Sequence, residues 1–475
     1  MFDKISSAAV VSILGEMLRV LADGWRRVAA QHLIFLTMPE IRPIPRYNRN
    51  DFYLAEMEEG ALSQPFRDNS SLPLAGIKVV EFSHMIMGPS CGMILADLGA
   101  DVVKIEPYPN GDNTRRLNGS GAGFFPTFNR NKRSLVLDLK SKDGKDAAQK
   151  LIDQADVLIE NFRPGALDKL GFGYDAQSAS NPRLIYCSLK GFLSGPYEHR
   201  AALDEVVQMM GGLAYMTGPT GRPLRAGASV NDVMGGMFAA IAILAALQER
   251  SMTGRGQLVR SALFENNVFL VAQHMLQMAV TGKPAAPLPE RISAWAVYDL
   301  FDTADGEQIF VGVVSDTQWV AFCTALDLEK FLDNPDLQTN ADRVLHRADF
   351  MPDIKAIFAA MTLKDALARC EEIGLPFAPI AKPQDLFDDP HVSQPGGTVD
   401  VVLPNGTPTR VPTLPIDFNG ERLGLRFDIP RCGEHSVEVL RELGYAKADI
   451  DRMVVEGSVG CDGNRGEPAP LRKLA

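Results

Sequence analysis

From Leu74 onward, short apolar segments rich in β-branched residues alternate with segments of helical periodicity. The segment "IKVVEFS" (77–83) predicts a buried strand, "GPSCGMILADLGA" (88–100) predicts a helix that ends near Gly99, and "DVVKIE" (101–106) predicts a second strand. Strands joined through a helix pair in parallel, and a parallel sheet is covered by helices on both faces. This alternation therefore predicts an α/β fold whose ligands bind beyond the carboxyl ends of the strands.

The same alternation continues along the chain. The next predicted elements are strand 134–140, helix 142–154, strand 156–162, helix 165–170, strand 183–192, helix 232–250, and a strand and a helix within 255–270. A second region follows with strand 307–314, helices 317–325, 352–361 and 363–373, short strands in 397–428, and helix 433–445. The mixed pattern between about 296 and 385 predicts a second, smaller domain.

The first 73 residues precede this pattern. Residues 1–35 have apolar positions at helical spacing, but Glu16 and Arg19 interrupt them, which is not typical of a signal peptide. We interpret this segment as an extra amphipathic packing helix, with a gene start placed too far upstream as the alternative. The polar, proline-containing segment 39–73 is typical of a linker.

Charge and cysteine content exclude several classes of protein. The formal net charge of -11 argues against binding to nucleic acid or to an anionic membrane, since both favour an excess of Lys and Arg. The six cysteines lie far apart without a CxxC motif, which predicts neither a disulfide framework nor a metal site but reduced thiols in a cytoplasmic protein. The apolar run 233–248 is too short for a typical membrane span, so we expect a buried helix there.

Asp232 lies at the start of this apolar helix and allows two interpretations. An aspartate at a helix start is a common cap for free backbone N–H groups, and spacing alone favours that role. The small residues before it, and Gly235 and Gly236 one turn later, would instead let an external group approach the helix start. The helix dipole would then keep the carboxylate ionised and stabilise a neighbouring oxyanion.

The loop 83–92, after the first predicted strand, lies where a dinucleotide fingerprint would be. Glu106 ends the second strand, as a ribose-binding acid would, but the GxGxxG glycines are missing, which disfavours an NAD site. His84 in this loop faces the predicted crevice, although a lone histidine is more often structural than catalytic.

Two segments group cations next to strands. "NRNKRS" (129–134) is typical of a solvated loop, with phosphate binding as the functional alternative. "ENFRPGALDKLGFGY" (160–174) places an amide, an aromatic ring and cations at the end of a strand, which would suit a nucleotide carrying phosphates. A capped helix with surface charges explains the second segment equally well.

Several sequence blocks occur in a characteristic order: "LAGIKVVEFSHMIMGPSCGMILADLGADVVKIE", "NRNKRSLVLDLK", "ADVLIENFRPGALDKLGFGY", "NPRLIYCSLKGF", "DEVVQMMGGLAYMTG" and "TGRGQ". Together they resemble the class III coenzyme A transferases, the CaiB/BaiF family, over roughly 74–270 and again near 433–445. The resemblance implies an α/β fold with a Rossmann-like, parallel-sheet large domain formed by both chain ends (74–290 and 386–455). It also implies a smaller α+β domain (291–385) and an interlocked homodimer. Residues 1–73 are then an N-terminal helical extension and linker, and residues 456–475 are a tail.

The resemblance also implies a mechanism and a set of site residues. In this family an aspartate at the position of Asp232 attacks an acyl-CoA thioester to give a mixed anhydride, so the CoA thioester is a substrate and no cofactor stays bound. The CoA contacts map to Leu137, Asn161, Phe162, Ala166, Lys169 and Leu170, with Arg163, Arg115 and Lys190 as plausible additions. Candidate residues near the acyl group are His84, Ile86, Asp204, Gly235 and Gly236.

A second branch of the family contains α-methylacyl-CoA racemases, which move a proton with a His that immediately precedes an Asp. The corresponding pair here is Leu203–Asp204, and leucine cannot carry a proton. Formyl-CoA:oxalate enzymes have a Gln where this chain has Ile86, which disfavours oxalate as the acceptor. We therefore expect CoA transfer between an acyl-CoA, with succinyl-CoA as a candidate, and a carboxylic acid; the alternatives are a racemase and a CoA-binding protein without turnover.

Overall fold

The computed structural model describes residues 66–291 and 293–462. The predicted amphipathic helix and most of the predicted linker lie outside the described residues.

A seven-stranded sheet forms the centre of the protein. The elements of its first part are β1 (Lys78–Phe82), α1 (Met87–Asp97), β2 (Asp101–Pro107), α2 (Phe124–Phe128), β3 (Lys132–Leu137), α3 (Lys142–Asp153), β4 (Val157–Glu160), α4 (Ala166–Leu170), α5 (Tyr174–Ser180), β5 (Ile185–Lys190), α6 (Asp204–Met210), α7 (Leu213–Thr217), α8 (Val230–Thr253), β6 (Leu258–Ala262) and α9 (Leu263–Thr281). The parallel strands are ordered β3-β2-β1-β4-β5-β6. Doubly wound nucleotide-binding sheets have this order, with the topological switch point between β1 and β4. The predicted α/β class with a parallel sheet is confirmed.

The sheet is buried on both faces, because adjacent residues of each strand point to opposite sides. Val79 lies in one core with Leu95 of α1 and Ile243 of α8. Val80 lies in the other core, which Ile152 of α3 shares with side chains of later helices. The nearly continuous apolar runs of these strands follow from this double coverage.

A second, smaller region has its own antiparallel sheet and core. Its elements are β7 (Val297–Asp302), β8 (Gln308–Val313), α10 (Asp316–Ala325), α11 (Asn340–Leu345), α12 (Arg347–Ala359), α13 (Leu363–Ile373) and β9 (Phe377–Pro379). The strand order is β7-β8-β9, and helix side chains such as Trp319 and Phe358 pack with Phe301 and Ile309 in the core. Helix α12 begins at Arg347, earlier than predicted, and continues through Pro352.

The remaining elements are β10 (Thr398–Val402), β11 (Pro408–Pro412), β12 (Asp417–Phe418), β13 (Glu421–Arg422), α14 (Ser436–Glu442), α15 (Lys447–Val455) and β14 (Val459–Gly460). Their strands form two small antiparallel sheets, β10–β11 and β12–β13, before the last strand joins the large sheet. Strand β14 pairs antiparallel with β3, where Val459 faces Leu137 and is fully buried. The assignment of 456–475 to a tail was therefore wrong at its start, because a two-residue strand is too short to show periodicity.

The end of the predicted linker also belongs to the folded region. Phe66 forms a parallel bridge with Arg422, and Leu72 is buried in the core that contains α1. The polar composition of 39–73 concealed these two apolar anchors.

Helix α8 is long and apolar enough to cross a membrane by length and composition alone. In the structure, however, its Ala239, Ala240 and Ile243 pack into the core on one face of the sheet. The prediction of a buried helix therefore holds for one side of α8, whereas Met237, Ile241 and Leu244 on the other side are more than a third exposed.

Candidate active site

A cavity of about 470 Å³ opens at the carboxyl ends of β1, β2 and β3, next to the switch point. Its lining includes His84, Leu137, Phe162 and Leu170, all predicted as site residues, together with apolar and polar side chains from the ends of β2 and β3. Pockets for small molecules and cofactors commonly have this size and a mostly apolar wall with a few polar groups. We refer to this cavity as the switch-point crevice.

The loops after β1 and β4 are locked together at the edge of this crevice. The Asn161 side chain accepts a hydrogen bond from the His84 backbone N–H (3.0 Å) and donates one to the His84 backbone carbonyl (2.8 Å). The His84 ring stacks on Phe162 with 5.5 Å between the ring centroids. The structure thus brings together three residues that were predicted from separate segments.

The other predicted CoA contacts on this side follow Phe162 in sequence. Arg163 and Lys169 are exposed, and Ala166 and Leu170 are half-buried on α4. Gly165 precedes α4 with a φ of 75°, a left-handed conformation that turns the chain into this short helix. The two exposed cations therefore lie near the rim of the crevice, outside its lining.

Lys190 and Arg115, which were predicted as additional CoA contacts, are both paired with glutamates. The Lys190 ammonium donates to Glu160 Oε2 (2.6 Å) and to the Phe162 carbonyl (2.7 Å). The Arg115 guanidinium donates to both oxygens of Glu106 (2.7 and 2.6 Å) and stacks on a buried phenylalanine. Carboxylates neutralise both charges, and Lys190 also holds the backbone of the crevice loop. Their contact with CoA stays a prediction.

Glu106 is not available to a ribose either. It is fully buried, and besides Arg115 it accepts hydrogen bonds from Ser134 Oγ (2.6 Å) and from the Asp112 backbone N–H (2.8 Å). Burial opposes its ionisation, but these partners hold the pKa of Glu106 below its usual value. The resemblance of Glu106 to a ribose-binding acid is therefore only positional.

A buried ionic cluster lies beneath the crevice loop. Glu81 pairs with Lys104 (Oε1–Nζ 3.1 Å) and with Lys132 (Oε2–Nζ 2.8 Å), and all three side chains are fully buried. Lys104 also donates to the Ser83 carbonyl (2.7 Å), directly before His84. Burial lowers the pKa of Lys132 to about 8, although Glu81 opposes the change. The cluster fixes the start of the loop that forms the crevice wall.

This cluster corrects the interpretation of "NRNKRS". Arg130 pairs with Asp97 (2.6 Å), Lys132 with Glu81, and Arg133 with Asp101 (2.6 Å). The side chains of all three cations are less than 10% exposed. The segment is therefore neither a solvated loop nor a phosphate site, because each cation forms an ion pair with a carboxylate of a neighbouring element.

Asp232 is the third residue of α8, and it does not cap the helix. The cap comes from α6, where Asp204 Oδ1 accepts a hydrogen bond from the Asn231 backbone N–H (2.8 Å). Among the described residues, no hydrogen-bond donor reaches the Asp232 carboxylate within bonding distance. The interpretation of Asp232 as a cap, which spacing favoured, is wrong because a residue distant in sequence fills that role.

The surroundings of Asp232 make its carboxylate unusually basic. Burial and, to a smaller extent, the nearby negative charge of Asp204 raise the pKa of Asp232 to about 7, although the positive charge of Arg225 opposes the rise. A carboxylate of this pKa is partly ionised near neutral pH and is a stronger nucleophile than an ordinary aspartate.

Gly235 and Gly236 serve packing and not the predicted space for a thioester. A Cβ on Gly235 would collide with Met87 of α1 and lie 2.9 Å from Asn266 Nδ2. A Cβ on Gly236 would collide with Ser90 Oγ and lie 2.8 Å from the Met87 carbonyl oxygen. The two glycines therefore let α8 lie directly against α1, a role that a helix sequence alone does not reveal.

This packing connects the two halves of the site. The loop that lines the crevice leads into α1, and the first turns of α1 touch α8 one turn after Asp232. Ile86, predicted to lie in the substrate loop, is 3% exposed, so its side chain belongs to the interior.

Helix α6 supplies three residues that sequence reasoning did not identify as a group. Asp204 caps α8, Gln208 accepts a hydrogen bond from the Ala226 backbone N–H (2.8 Å), and Glu205 pairs with Arg225. Asp204 and Gln208 are also hydrogen-bonded to each other. Polar residues at i, i+1 and i+4 of the segment "DEVVQ" are a weak signal, because the burial of Asp204 and Gln208 is visible only in the fold.

A nucleotide-sized crevice at a switch point and, at the start of α8, a partly buried carboxylate with a raised pKa are features of an α/β nucleotide-binding protein with a candidate nucleophile. The chain belongs to CoA-transferase family III, whose model matches residues 74–436. The predicted family and the assignment as a CoA-transferase are confirmed.

Two relatives and one solved structure illustrate the match. The chain is 34% identical to an acyl-CoA transferase of Fusarium pseudograminearum over 87% of this chain and 92% of that protein. It is 35% identical to the succinate–glutarate CoA-transferase of Agrobacterium fabrum over 79% of this chain and 96% of that protein. A CaiB/BaiF family protein from Brucella suis has a TM-score of 0.70 at 34% identity, covering 78% of this chain and 99% of that one.

Proposed function

We propose that this protein transfers CoA from a dicarboxylic acyl-CoA, with succinyl-CoA as the first candidate, to a second dicarboxylic acid. The observation that carries the proposal is the Asp232 carboxylate at the start of α8. It does not cap the helix, and its pKa is raised to about 7. The relative from Agrobacterium fabrum, named for succinate and glutarate, supports dicarboxylic acids as the substrate class.

The proposed reaction proceeds through four exchanges at Asp232. An Asp232 oxygen attacks the thioester carbonyl, and the C–S bond breaks. This step releases CoA thiolate and forms a mixed anhydride between Asp232 and the acyl group. The thiolate attacks the aspartyl carbonyl, which releases the first acid and forms an aspartyl thioester. The acceptor carboxylate then attacks this thioester, which expels the thiolate and forms a second mixed anhydride, between Asp232 and the acceptor. Finally the thiolate attacks the acceptor carbonyl of this anhydride, which forms the new acyl-CoA and restores the Asp232 carboxylate. No net proton or water is consumed.

The position of Asp232 favours these steps energetically. Each attack places negative charge on a carbonyl oxygen, and the positive end of the α8 dipole lies at Asp232. Because Asp204 already satisfies the Asn231 N–H, the Asp232 oxygens stay available for the substrate.

The nucleotide part of CoA is proposed to occupy the switch-point crevice. Leu137, Phe162 and Leu170 offer apolar surface to the base, while Asn161 shapes the loop that carries His84. The exposed cations Arg163 and Lys169 lie near the rim, where phosphates would leave the crevice. In this proposal CoA binds as a substrate and not as a resident cofactor.

A second copy of the chain is the proposed cover for an exposed apolar surface. Met237, Ile241 and Leu244 follow one side of α8 and are each more than a third exposed, and Phe269 and Leu276 on α9 are about two-thirds exposed. Apolar surface of this extent commonly marks a protein interface. We propose a homodimer, interlocked as the family resemblance implies, that works in the cytoplasm with free thiols.

The test is thioester exchange. Purified protein incubated with succinyl-CoA and glutarate should form glutaryl-CoA and succinate in equal amounts, which mass spectrometry would quantify. A screen of mono- and dicarboxylates defines the range of acceptors. Failure to exchange CoA with any acid would contradict the proposal.

The same assays separate the alternatives. Deuterium exchange at the α-carbon of a 2-methylacyl-CoA, without an acceptor acid, would indicate a racemase instead. Leu203 occupies the position of the racemase histidine and is 60% exposed, so this position provides no proton carrier. Tight acyl-CoA binding without either reaction would indicate a binding protein.

The pH dependence of the reaction should reveal the influence of Asp204. We expect kcat/KM for the acyl-CoA to rise with pH along a limb centred near pH 7, because only ionised Asp232 attacks. Replacing Asp204 by Asn removes the neighbouring negative charge but keeps an oxygen for the Asn231 N–H, so the limb should move to lower pH. Stopped-flow or steady-state rates between pH 5 and 9 would measure the limb.

A matched control separates this effect from a general loss of charge. Asp175→Asn removes an acid from the first turn of α5 and should leave the limb unchanged. An unchanged limb in the Asp204→Asn variant would show that Asp204 does not influence Asp232 in solution.

A further inference from the structure

The loop before α8 is held at both ends by a single turn of α6. At one end, Gln208 accepts the Ala226 backbone N–H at 2.8 Å. At the other end, Asp204 accepts the Asn231 backbone N–H at 2.8 Å. Gln208 is fully buried and Asp204 is 3% exposed, so the two anchors are part of the interior. The loop therefore holds Arg225 in a defined position relative to Asp232.

The Arg225 guanidinium has a defined orientation, but it is held by weak contacts. Its Nε donates to the Ala226 carbonyl (3.1 Å), and one terminal nitrogen pairs with Glu205. The side chains of Arg225 and Glu205 are 36% and 50% exposed, and an ion pair of such exposure contributes little to stability. A carboxylate arriving from solution can therefore replace Glu205 at small cost.

Arg225 also acts electrostatically on the nucleophile. Glu205, which pairs with Arg225, directly follows Asp204, which binds the backbone N–H next to Asp232. Arg225 and Asp232 are thus both held by the same turn of α6, and the positive charge of Arg225 opposes the rise in the pKa of Asp232. Arg222, four residues from Ala226 in the same loop, is exposed and is not among the charges that shift the pKa of Asp232. The guanidinium of Arg225 presents a planar fork that matches a carboxylate in bidentate geometry.

We propose that Arg225 binds the second carboxylate of a dicarboxylic substrate while the first carboxylate, or its thioester, reacts at Asp232. The inference rests on the proposed function and assigns its specificity to one residue. Glu205 occupies the fork when substrate is absent, and the substrate carboxylate takes its place. Acids with one carboxylate pass through the same chemical steps but lack this anchor.

The test compares acceptors of equal chain length with and without the second carboxylate. With butyryl-CoA as donor, the ratio of kcat/KM for glutarate to that for valerate should fall ~30-fold in Arg225→Gln, as expected for loss of one charge-assisted pair. The loss should lie mainly in the KM for glutarate. Arg225→Lys, which keeps the charge without the fork, should recover part of the ratio.

Arg222→Gln is the matched control, since it removes one exposed cation from the same loop. Its acceptor ratio should equal that of the wild type. An unchanged ratio in Arg225→Gln, or an equal loss with both acids, would overturn the proposal, because neither result depends on the second carboxylate.

A binding measurement keeps this inference distinct from the proposed function. Calorimetric titration of glutarate should give a Kd ~30-fold weaker for Arg225→Gln than for the wild type and for Arg222→Gln. This result would support Arg225 even if the wild type transferred no CoA, an outcome that would contradict the proposed function alone. An equal glutarate Kd in all three proteins would overturn the role of Arg225.

Discussion

Replacing Asp232 by Asn should lower the rate of CoA transfer by on the order of 10⁴-fold or more, because the amide has no anionic oxygen to attack the thioester. The carboxylate is well suited to that attack, since it is not used as a cap and its pKa is raised to about 7. Initial rates of exchange between succinyl-CoA and glutarate, followed by mass spectrometry, would measure the loss.

The same variant should form no covalent intermediate. Wild-type protein incubated with an acyl-CoA and hydroxylamine should yield a hydroxamate on the peptide that contains Asp232, since hydroxylamine attacks both the anhydride and the aspartyl thioester. Asp232→Asn should yield none. A hydroxamate on another residue, or a variant that retains transfer within tenfold of the wild type, would show that the nucleophile lies elsewhere.

Asp449 provides a closely matched control. It is also the third residue of a helix, α15, but it is exposed and far along the chain from the candidate site. Asp449→Asn removes the same chemical group from the same helical position and should leave both transfer and hydroxamate formation unchanged.

The Asp232→Asn variant should also be more stable than the wild type above neutral pH. The folded-state pKa of about 7 exceeds the ordinary aspartate value of 3.8, so the folded protein loses stability as pH rises through this window. Asparagine carries no such penalty, so its free energy of unfolding should exceed that of the wild type by on the order of 2 kcal/mol at pH 8. The difference should disappear near pH 4. Chemical denaturation of both proteins at the two pH values would measure it and would also show that the inactive variant is folded.

The sequence predicted the parallel sheet well because each strand carries its own local signal. The runs around Val79, Val102 and Leu158 are apolar and β-branched, and the intervening helices are periodic. Strand β14 carried no comparable signal, since it has two residues and its burial depends on pairing with β3.

The site was predicted less completely because its main contacts join residues distant in sequence. The resemblance identified Asn161, Phe162 and Asp232, and the structure places the first two beside His84. Local rules could not show that Asp204 caps α8, since the partner N–H belongs to another segment. They also could not show which face of α8 carries Gly235 and Gly236.

The sequence does contain a signal for the buried ionic cluster, in the charged residues of two neighbouring buried strands. Glu81 interrupts the apolar run of β1, Lys104 interrupts that of β2, and the two residues are direct partners in the parallel register. A charge at the matching position of two neighbouring buried strands indicates a pair, because an unpaired charge there would be strongly unfavourable. The assignment of Lys132 to a solvated loop overlooked that the strand begins at this residue.

Removing the central carboxylate of this cluster should have the largest effect on stability. Glu81→Gln leaves Lys104 and Lys132 fully buried with one negative charge fewer, and breaking a buried pair in this way costs about 3–5 kcal/mol. Chemical denaturation at pH 7 would measure the loss in the free energy of unfolding. Asp146→Asn, which breaks the exposed pair with Lys142, should leave the free energy of unfolding almost unchanged.

The double variant Glu81→Gln with Lys132→Met tests the cause of this loss. If the penalty comes from an uncompensated buried ammonium, removing that ammonium should restore a large part of the lost stability. Glu81 raises the pKa of Lys132, which is about 8 in the wild type, so its removal should bring this pKa below 8. The single variant should therefore begin to recover stability below pH 8 and continue above it, because Lys132 loses its proton in the folded state before it does in the unfolded chain. A double variant less stable than Glu81→Gln, together with no recovery at high pH, would instead attribute the loss to packing. In that case the Ser83 carbonyl held by Lys104, and the crevice loop that follows it, would depend on the shape of the cluster and not on its charge.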